Sequence, residues 1–119
     1  MSFDTISAVG KHAALPHYRV TPDSNLSFTN NTIYLFDSGA QYRDGTTDIT
    51  RTVILGKSTK EQQDRFTRVL KGHIAINETE FAINTIGYKL DSLARKSLND
   101  IGCDYDHGTG HGIGSFLNV

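Results

Sequence analysis

Apolar and polar positions fall into regular runs separated by turn-rich stretches. Phe3, Thr5-Ile6 and Ala8-Val9 alternate with polar neighbours until Gly10 interrupts them, which predicts a short strand over residues 3 to 9. Residues 11 to 20 read as irregular, because Pro16 forbids a continuous helix and pushes Leu15 towards an extended backbone. The polar stretch 21 to 31 reads as a surface loop. Thr32-Ile33-Tyr34-Leu35-Phe36 is β-branched and aromatic, and Ile49 to Leu55 alternates as a half-buried strand does. Between these two strands Asp44-Gly45 predicts a type I′ hairpin turn. Ser58-Thr59-Lys60-Glu61 has the form of a capping box, and Phe66, Val69, Leu70, Ile74 and Asn77 follow at helical spacing, so a helix with that face in the core is expected. Residues 78 to 87 form a connection. A second helix aligns Leu90, Leu93, Ala94, Ser97 or Leu98, and Ile101, with Gly102 as its C′ residue.

Composition narrows the class. At 119 residues the chain fits one small domain, and a net charge of −1 with dispersed Lys and Arg offers no basic face for nucleic acid or an anionic membrane. The single cysteine, Cys103, excludes a disulfide framework and reads as a small buried residue. With no basic leader followed by an apolar run, and no stretch long enough to span a bilayer, a cytoplasmic protein is expected.

The candidate chemistry lies in two places. Asp37 and Asp48 flank the hairpin turn. With the turn at Asp44-Gly45, residue 48 stands opposite residue 41, so the two acids share a face yet sit several residues out of register. A bulge at Ser38-Gly39 is expected to bring them together. The second place is Asp104 to Val119, where His107 and His111 stand four apart among glycines. The glycines argue against a helical zinc pair and for a looping backbone that can approach a metal or substrate closely. Taken alone, that stretch reads equally as a glycine-rich loop that happens to hold histidines. Two aspartates with a distant glycine-flanked histidine make a mixed oxygen and nitrogen shell suited to Mn, Co or Zn. Carboxylates can bridge two cations, and a pair of metals roughly 3.5 to 4 Å apart suits amide hydrolysis. His17 beside Tyr18, and His73 on the first helix, read by themselves as hydrogen-bonded or packed side chains. Glu78 and Glu80 read as solvated charges at a helix end.

The runs DSGAQYRDGTTDITRT, FTRVLKGHIA, LDSLAR and DYDHGTGHGIGSFLNV resemble the catalytic domain of aminopeptidase P, the Xaa-Pro aminopeptidases of the creatinase and methionine aminopeptidase superfamily. The likeness extends from Phe3 to Val119. It implies an α+β fold of the pita-bread kind, with a curved antiparallel sheet, helices on its outer face and a dinuclear site within. Carried over by residue, it makes Asp37 a terminal ligand of one metal, Asp48 a carboxylate bridging both and His111 a ligand of the other. His111 is expected to arrive on a separate strand. His17 and His107 correspond to histidines that line the substrate site and assist binding or proton transfer. Asp44 matches a turn residue and takes no metal role. The stretch Gly10 to Pro16 departs from the commoner Gly-Pro-Asn-Gly form before the His-Tyr pair.

The resemblance further implies two divalent ions, Mn(2+) foremost with Co or Zn as alternatives, and peptide substrates with proline second. A homo-oligomer is compatible with it for the whole protein. A His-Glu pair and two further glutamates that complete the family's shell follow the point where this chain stops. Residues 1–119 are therefore expected to be an incomplete catalytic domain, truncated at both ends and inactive alone. A prolidase-type dipeptidase is the alternative within the fold, with HGTGHG and DGTTD favouring aminopeptidase P. Creatinase does not use the metals, and a metal-free pita-bread binding module would be expected to lose Asp37, Asp48 or His111.

Overall fold

The computed structural model describes residues 1–116 and 119; Leu117 and Asn118, part of the last motif, lie outside the described residues. The chain divides into two compact units, Met1–Ser58 with His111–Val119, and Thr59–Gly110. Each is built on its own local logic, and together they hold the strands and helices of an α+β, pita-bread type fold.

In the first unit, β1 (Ile6–Val9), β2 (Thr32–Ser38) and β5 (Ile49–Leu55) form an antiparallel sheet in the order β1-β2-β5. A small core gathers where this sheet meets the following turn: Ile6, Ala8 and Tyr18 are buried, with Ala13 and Leu35 packed against them. Residues 11 to 14, within the stretch expected to be irregular, belong to a 3-10 turn, Gly10–Ala14, that Gly10 enters at φ +60. Leu15 then becomes extended, at φ −101 and ψ 106, as a residue before proline must. Tyr18 is buried with its hydroxyl satisfied by the Ser24 carbonyl oxygen at 2.9 Å, so its ring fills the core at no polar cost.

The hairpin differs from expectation in its turn. The register that pairs Asp37 with Thr50 and Ser38 with Ile49 continues unchanged into β3 (Gln41–Tyr42) and β4 (Gly45–Thr46), which pair Gln41 with Thr46 and Tyr42 with Gly45. Arg43 and Asp44 are therefore the loop residues. Neither Asp44 nor Gly45 has the positive φ that a type I′ turn at that pair requires. The seven-residue ladder between β2 and β5 sets the register, and the turn conforms to it.

No residue is inserted at Ser38-Gly39, so the expected bulge is absent too. The ladder instead opens for two residues on each strand, with Thr47 N–H still donating to the Ala40 carbonyl at 2.9 Å. Ser2, fully buried, fills that opening. Its hydroxyl donates to the Thr47 carbonyl at 2.8 Å and its N–H to the Gly39 carbonyl at 3.1 Å. A Cβ at position 39 would overlap both the Thr47 carbonyl oxygen and the Ser2 hydroxyl, which is why glycine stands there.

In the second unit, α1 (Lys60–Asn77) begins one residue later than the Ser58 reading placed it. Thr59 is the N-cap, with its hydroxyl accepting from Gln62 N–H at 3.2 Å and the Gln62 side chain accepting from Thr59 N–H at 2.8 Å. A connection leads through a 3-10 turn at Gly87–Lys89 to α2 (Asp91–Asn99), whose buried residues are Ala94 and Leu98. Its end follows the sequence reading. Gly102 takes φ +71, its N–H donates to Asn99 O at 2.9 Å and Cys103 N–H to Leu98 O at 3.1 Å, the two bonds of a Schellman closure.

The face that α1 turns to α2 is not the apolar one. Gly72 is the buried residue of α1, and a Cβ there would overlap the Ala94 carbonyl. One turn earlier, Arg68 donates to the Ser97 carbonyl at 2.7 Å. Close backbone approach at Gly72 decides the packing face, so Phe66, Val69, Leu70 and Ile74 stay 45 to 60 % exposed rather than forming a core.

Candidate metal centre

Sheet register brings the two acids together. Asp37 on β2 pairs with Thr50 on β5, and Asp48 lies two residues before Thr50, so Asp37 and Asp48 are diagonal neighbours on one face. Their carboxyls lie close enough to influence one another, and the Thr50 side chain stands beside Asp37. Burial, aided by the charge of Asp48, pushes the Asp37 carboxyl above its ordinary value; Thr50 and the nearby His111 pull the other way without reversing it. Asp37 Oδ1 is closed off from solvent and has no hydrogen-bond partner among the described residues. Such a buried lone pair is costly unless a donor or a cation meets it.

His111 reaches the pair on irregular backbone, not on the expected strand. The Phe116 N–H, bonded to Thr46 Oγ1 at 3.0 Å, ties this segment back to β4. His111 Nε2 lies 3.5 Å from Asp48 Oδ2, while its Nδ1 is 2.8 Å from the Gly112 carbonyl oxygen. A carbonyl only accepts, so Nδ1 carries a proton, and Nε2 is the ring nitrogen on the Asp48 side. Two carboxylates and an imidazole nitrogen gathered in one place are the donor types of a borderline or hard divalent cation. Among the described residues no three His, Cys, Asp or Glu side chains converge tightly enough, as they stand, to form a complete metal-holding group. Asp37, Asp48 and His111 nevertheless are neighbours, with the partnerless Asp37 oxygen among them, and their chemistry fits a divalent ion.

The other two sequence candidates stand in separate surroundings. His17 is exposed in a shallow groove of the first unit lined also by His12, Pro16, Tyr18 and Arg19. His107 belongs to the second unit, where it lines a cavity of about 640 Å³ with His73, Asn77 and Thr109. Its Nδ1 also donates to the next carbonyl, that of Gly108, at 2.8 Å, leaving Nε2 open. Sequence reasoning missed Thr50 and Ser2. Thr50 was findable from the correct strand register, whereas nothing local in the sequence marks Ser2.

Metallopeptidase family M24 matches residues 1–119. A probable Xaa-Pro aminopeptidase P of Laccaria bicolor is 50% identical over 119 residues, all of this chain and 18% of that protein. Aminopeptidase P1 of Arabidopsis thaliana is 52% identical over the same length, again 18% of that protein. The chain thus spans under a fifth of the length of these curated relatives. Among solved structures, an X-prolyl aminopeptidase of Caenorhabditis elegans, described as a cytosolic enzyme with a di-nuclear active site, superposes at a TM-score of 0.91 with 51% identity, over 98% of this chain and 19% of that one. An Xaa-Pro dipeptidase of Bacillus anthracis superposes at 0.80 with 28% identity, over 99% of this chain and 33% of that one. With two acids on one sheet face, a histidine beside them and a match along its whole length, this chain belongs to metallopeptidase family M24.

Proposed function

We infer that this chain carries part of a two-metal centre that hydrolyses the bond between an N-terminal residue and a following proline. The carrying observation is the buried, partnerless Asp37 Oδ1 beside Asp48, with His111 Nε2 turned to the same place. Asp37 would hold one ion, Asp48 would bridge both and His111 would hold the second, with Mn(2+) preferred and Co or Zn able to substitute. When bound, the ions supply Lewis-acid polarisation of the scissile carbonyl and lower the pKa of the attacking water. The chain's own contribution is to hold these donors in place: Thr50 orients Asp37, and the Gly112 carbonyl sets the His111 tautomer. His17 and His107 are read as substrate-site histidines that bind the peptide or move a proton.

Relatives at 50 to 54% identity carry the name aminopeptidase P or Xaa-Pro aminopeptidase. Solved prolidases and dipeptidases lie at 25 to 30%. That difference supports release of a single residue over dipeptide cleavage. The retained Asp37, Asp48 and His111 weigh against a metal-free binding module. A cytoplasmic location is supported by the nematode relative's description as cytosolic. No helix among the described residues is long and apolar enough to cross a membrane.

Asp37, Asp48 and His111 together bring a charge of only about −2, too little to hold two dications side by side, so further acidic donors are needed. The test is an assay of first-residue release from an Xaa-Pro peptide with Mn(2+), on the 119-residue chain and on the whole protein. Turnover by the whole protein and none by the chain is expected. Robust metal-dependent turnover by the chain alone overturns the need for further donors, and none by the whole protein overturns the function.

A further inference from the structure

We propose that Arg95 is a positioning residue that fixes the Asp104–Thr109 segment and so the orientation of His107. Its consequence for turnover rests on the reading of His107 as a substrate-site histidine. Arg95 lies on α2, with its side chain 18% exposed, and its guanidinium meets four acceptors. Nε is 2.8 Å from Asp91 Oδ2 one turn earlier, and Nη1 is 2.9 Å from Asp104 Oδ1. Nη1 also donates to the Tyr105 carbonyl at 2.6 Å, and Nη2 to the His107 carbonyl at 2.9 Å. The same guanidinium lies 4.0 Å over the Tyr105 ring, and that ring stacks with His107 at 4.7 Å.

Isolated surface ion pairs hold little. This one differs in what it holds. Residues 103 to 110 form no helix or strand, so the Tyr105 and His107 carbonyls have no ladder to satisfy them, and both end on one planar fork. Thr109 closes the loop from its far side. Asp91 Oδ1 can only accept, so the Thr109 hydroxyl donates to it and the Tyr105 hydroxyl, 2.7 Å away, donates to Thr109 in turn. Asp91 thus binds both ends of the arrangement, Arg95 with one oxygen and Thr109 with the other. Hydrogen bonding by Thr109 and Arg95 keeps the Asp91 carboxyl below its ordinary value, as the Tyr105 N–H and Arg95 do for Asp104. The tyrosine, threonine and first aspartate of DYDHGTG are accounted for as anchors that hold His107, its ring stacked and its Nε2 open, against α2. Lysine offers no planar fork and cannot serve four acceptors at once.

The experiment uses the whole protein. Arg95→Met keeps the aliphatic stem and removes every donor, while Arg95→Lys keeps the charge without the fork. Amide exchange read by mass spectrometry is expected to rise over residues 103 to 110 in both variants and to stay unchanged in α1. First-residue release from an Xaa-Pro peptide is expected to fall about tenfold or more in kcat/KM for Arg95→Met, with metal content unchanged. In a His107→Ala background the same change is expected to cost less than about twofold, because Arg95 acts through His107. Unchanged exchange at 103 to 110, or a full further loss in the His107→Ala background, overturns the proposal. Should Arg95→Met not fold, Arg95→Lys carries the same comparison. Should the unmodified protein release nothing from Xaa-Pro peptides, the functional reading fails and the exchange data alone decide the clamp.

Discussion

Asp37 concentrates the tension of the candidate centre in one side chain. It is half-buried, it lies near the acid at position 48, and its enclosed Oδ1 has no partner among the described residues. A cation between the two carboxylates resolves all three conditions at once. Asp37→Asn removes the charge while keeping size and the contact with Thr50, so it is expected to weaken Mn(2+) binding by the whole protein by about a hundredfold or more, read by calorimetry. Unaltered affinity would show that Asp37 is not a ligand. The pairing with Thr50 also shows how much was legible at this scale. The two acids and their shared face followed from residue parity, but Thr50 came into view only with the true register, because a turn placed one position along the chain changes every partner.

Among the elements, α1 depends on its cap and α2 on its ion pairs. Thr59→Ala removes the side-chain acceptor for Gln62 N–H and is expected to cost about 1 kcal/mol in urea unfolding, whereas Ser58→Ala leaves the capping box intact. A larger loss from Ser58→Ala would return the cap to the position first read from the sequence. Around α2, the hydrogen bonds from Thr109 and Arg95 hold Asp91 down, and those from the Tyr105 N–H and Arg95 hold Asp104 down. A carboxylate lowered in the folded state binds fewer protons there than in the unfolded chain. Its contribution is present above the unfolded value of 3.8 and is lost as pH falls through the folded one. Protection of the 104 to 109 amides is therefore expected to decline from about pH 4 downward, less steeply in high salt, where exposed pairs are screened. A pH-independent protection over that range would remove these carboxylates from the account.

For the whole molecule, the exposed side chains matter most. Phe66, Val69, Leu70 and Ile74 on α1 and Ile49 and Val53 on β5 present apolar surface to solvent in the 119-residue chain. Curated relatives are more than five times as long as the stretch they share with it. Apolar faces of this kind drive association. The isolated chain is expected to bind a hydrophobic dye and to self-associate as concentration rises, read by sedimentation, while the whole protein does so far less. A monodisperse, dye-negative chain would mean that these faces need no cover.

What the sequence by itself determined was local: the strands and helices from their periods, the Gly102 closure from its place after the last apolar position, and the family from the resemblance of whole runs such as DSGAQYRDGTTDITRT and DYDHGTGHGIGSFLNV. These follow from interactions over a few residues, which a pattern records. Tertiary structure decided the rest. The β2–β5 ladder moved the turn to Arg43-Asp44, Ser2 filled an opening that glycine leaves at position 39, and Gly72 against Ala94 chose the packing face of α1 over its more apolar stripe. Each of these depends on which backbone comes close to which across a long separation in sequence, and hydrophobic period carries no record of that.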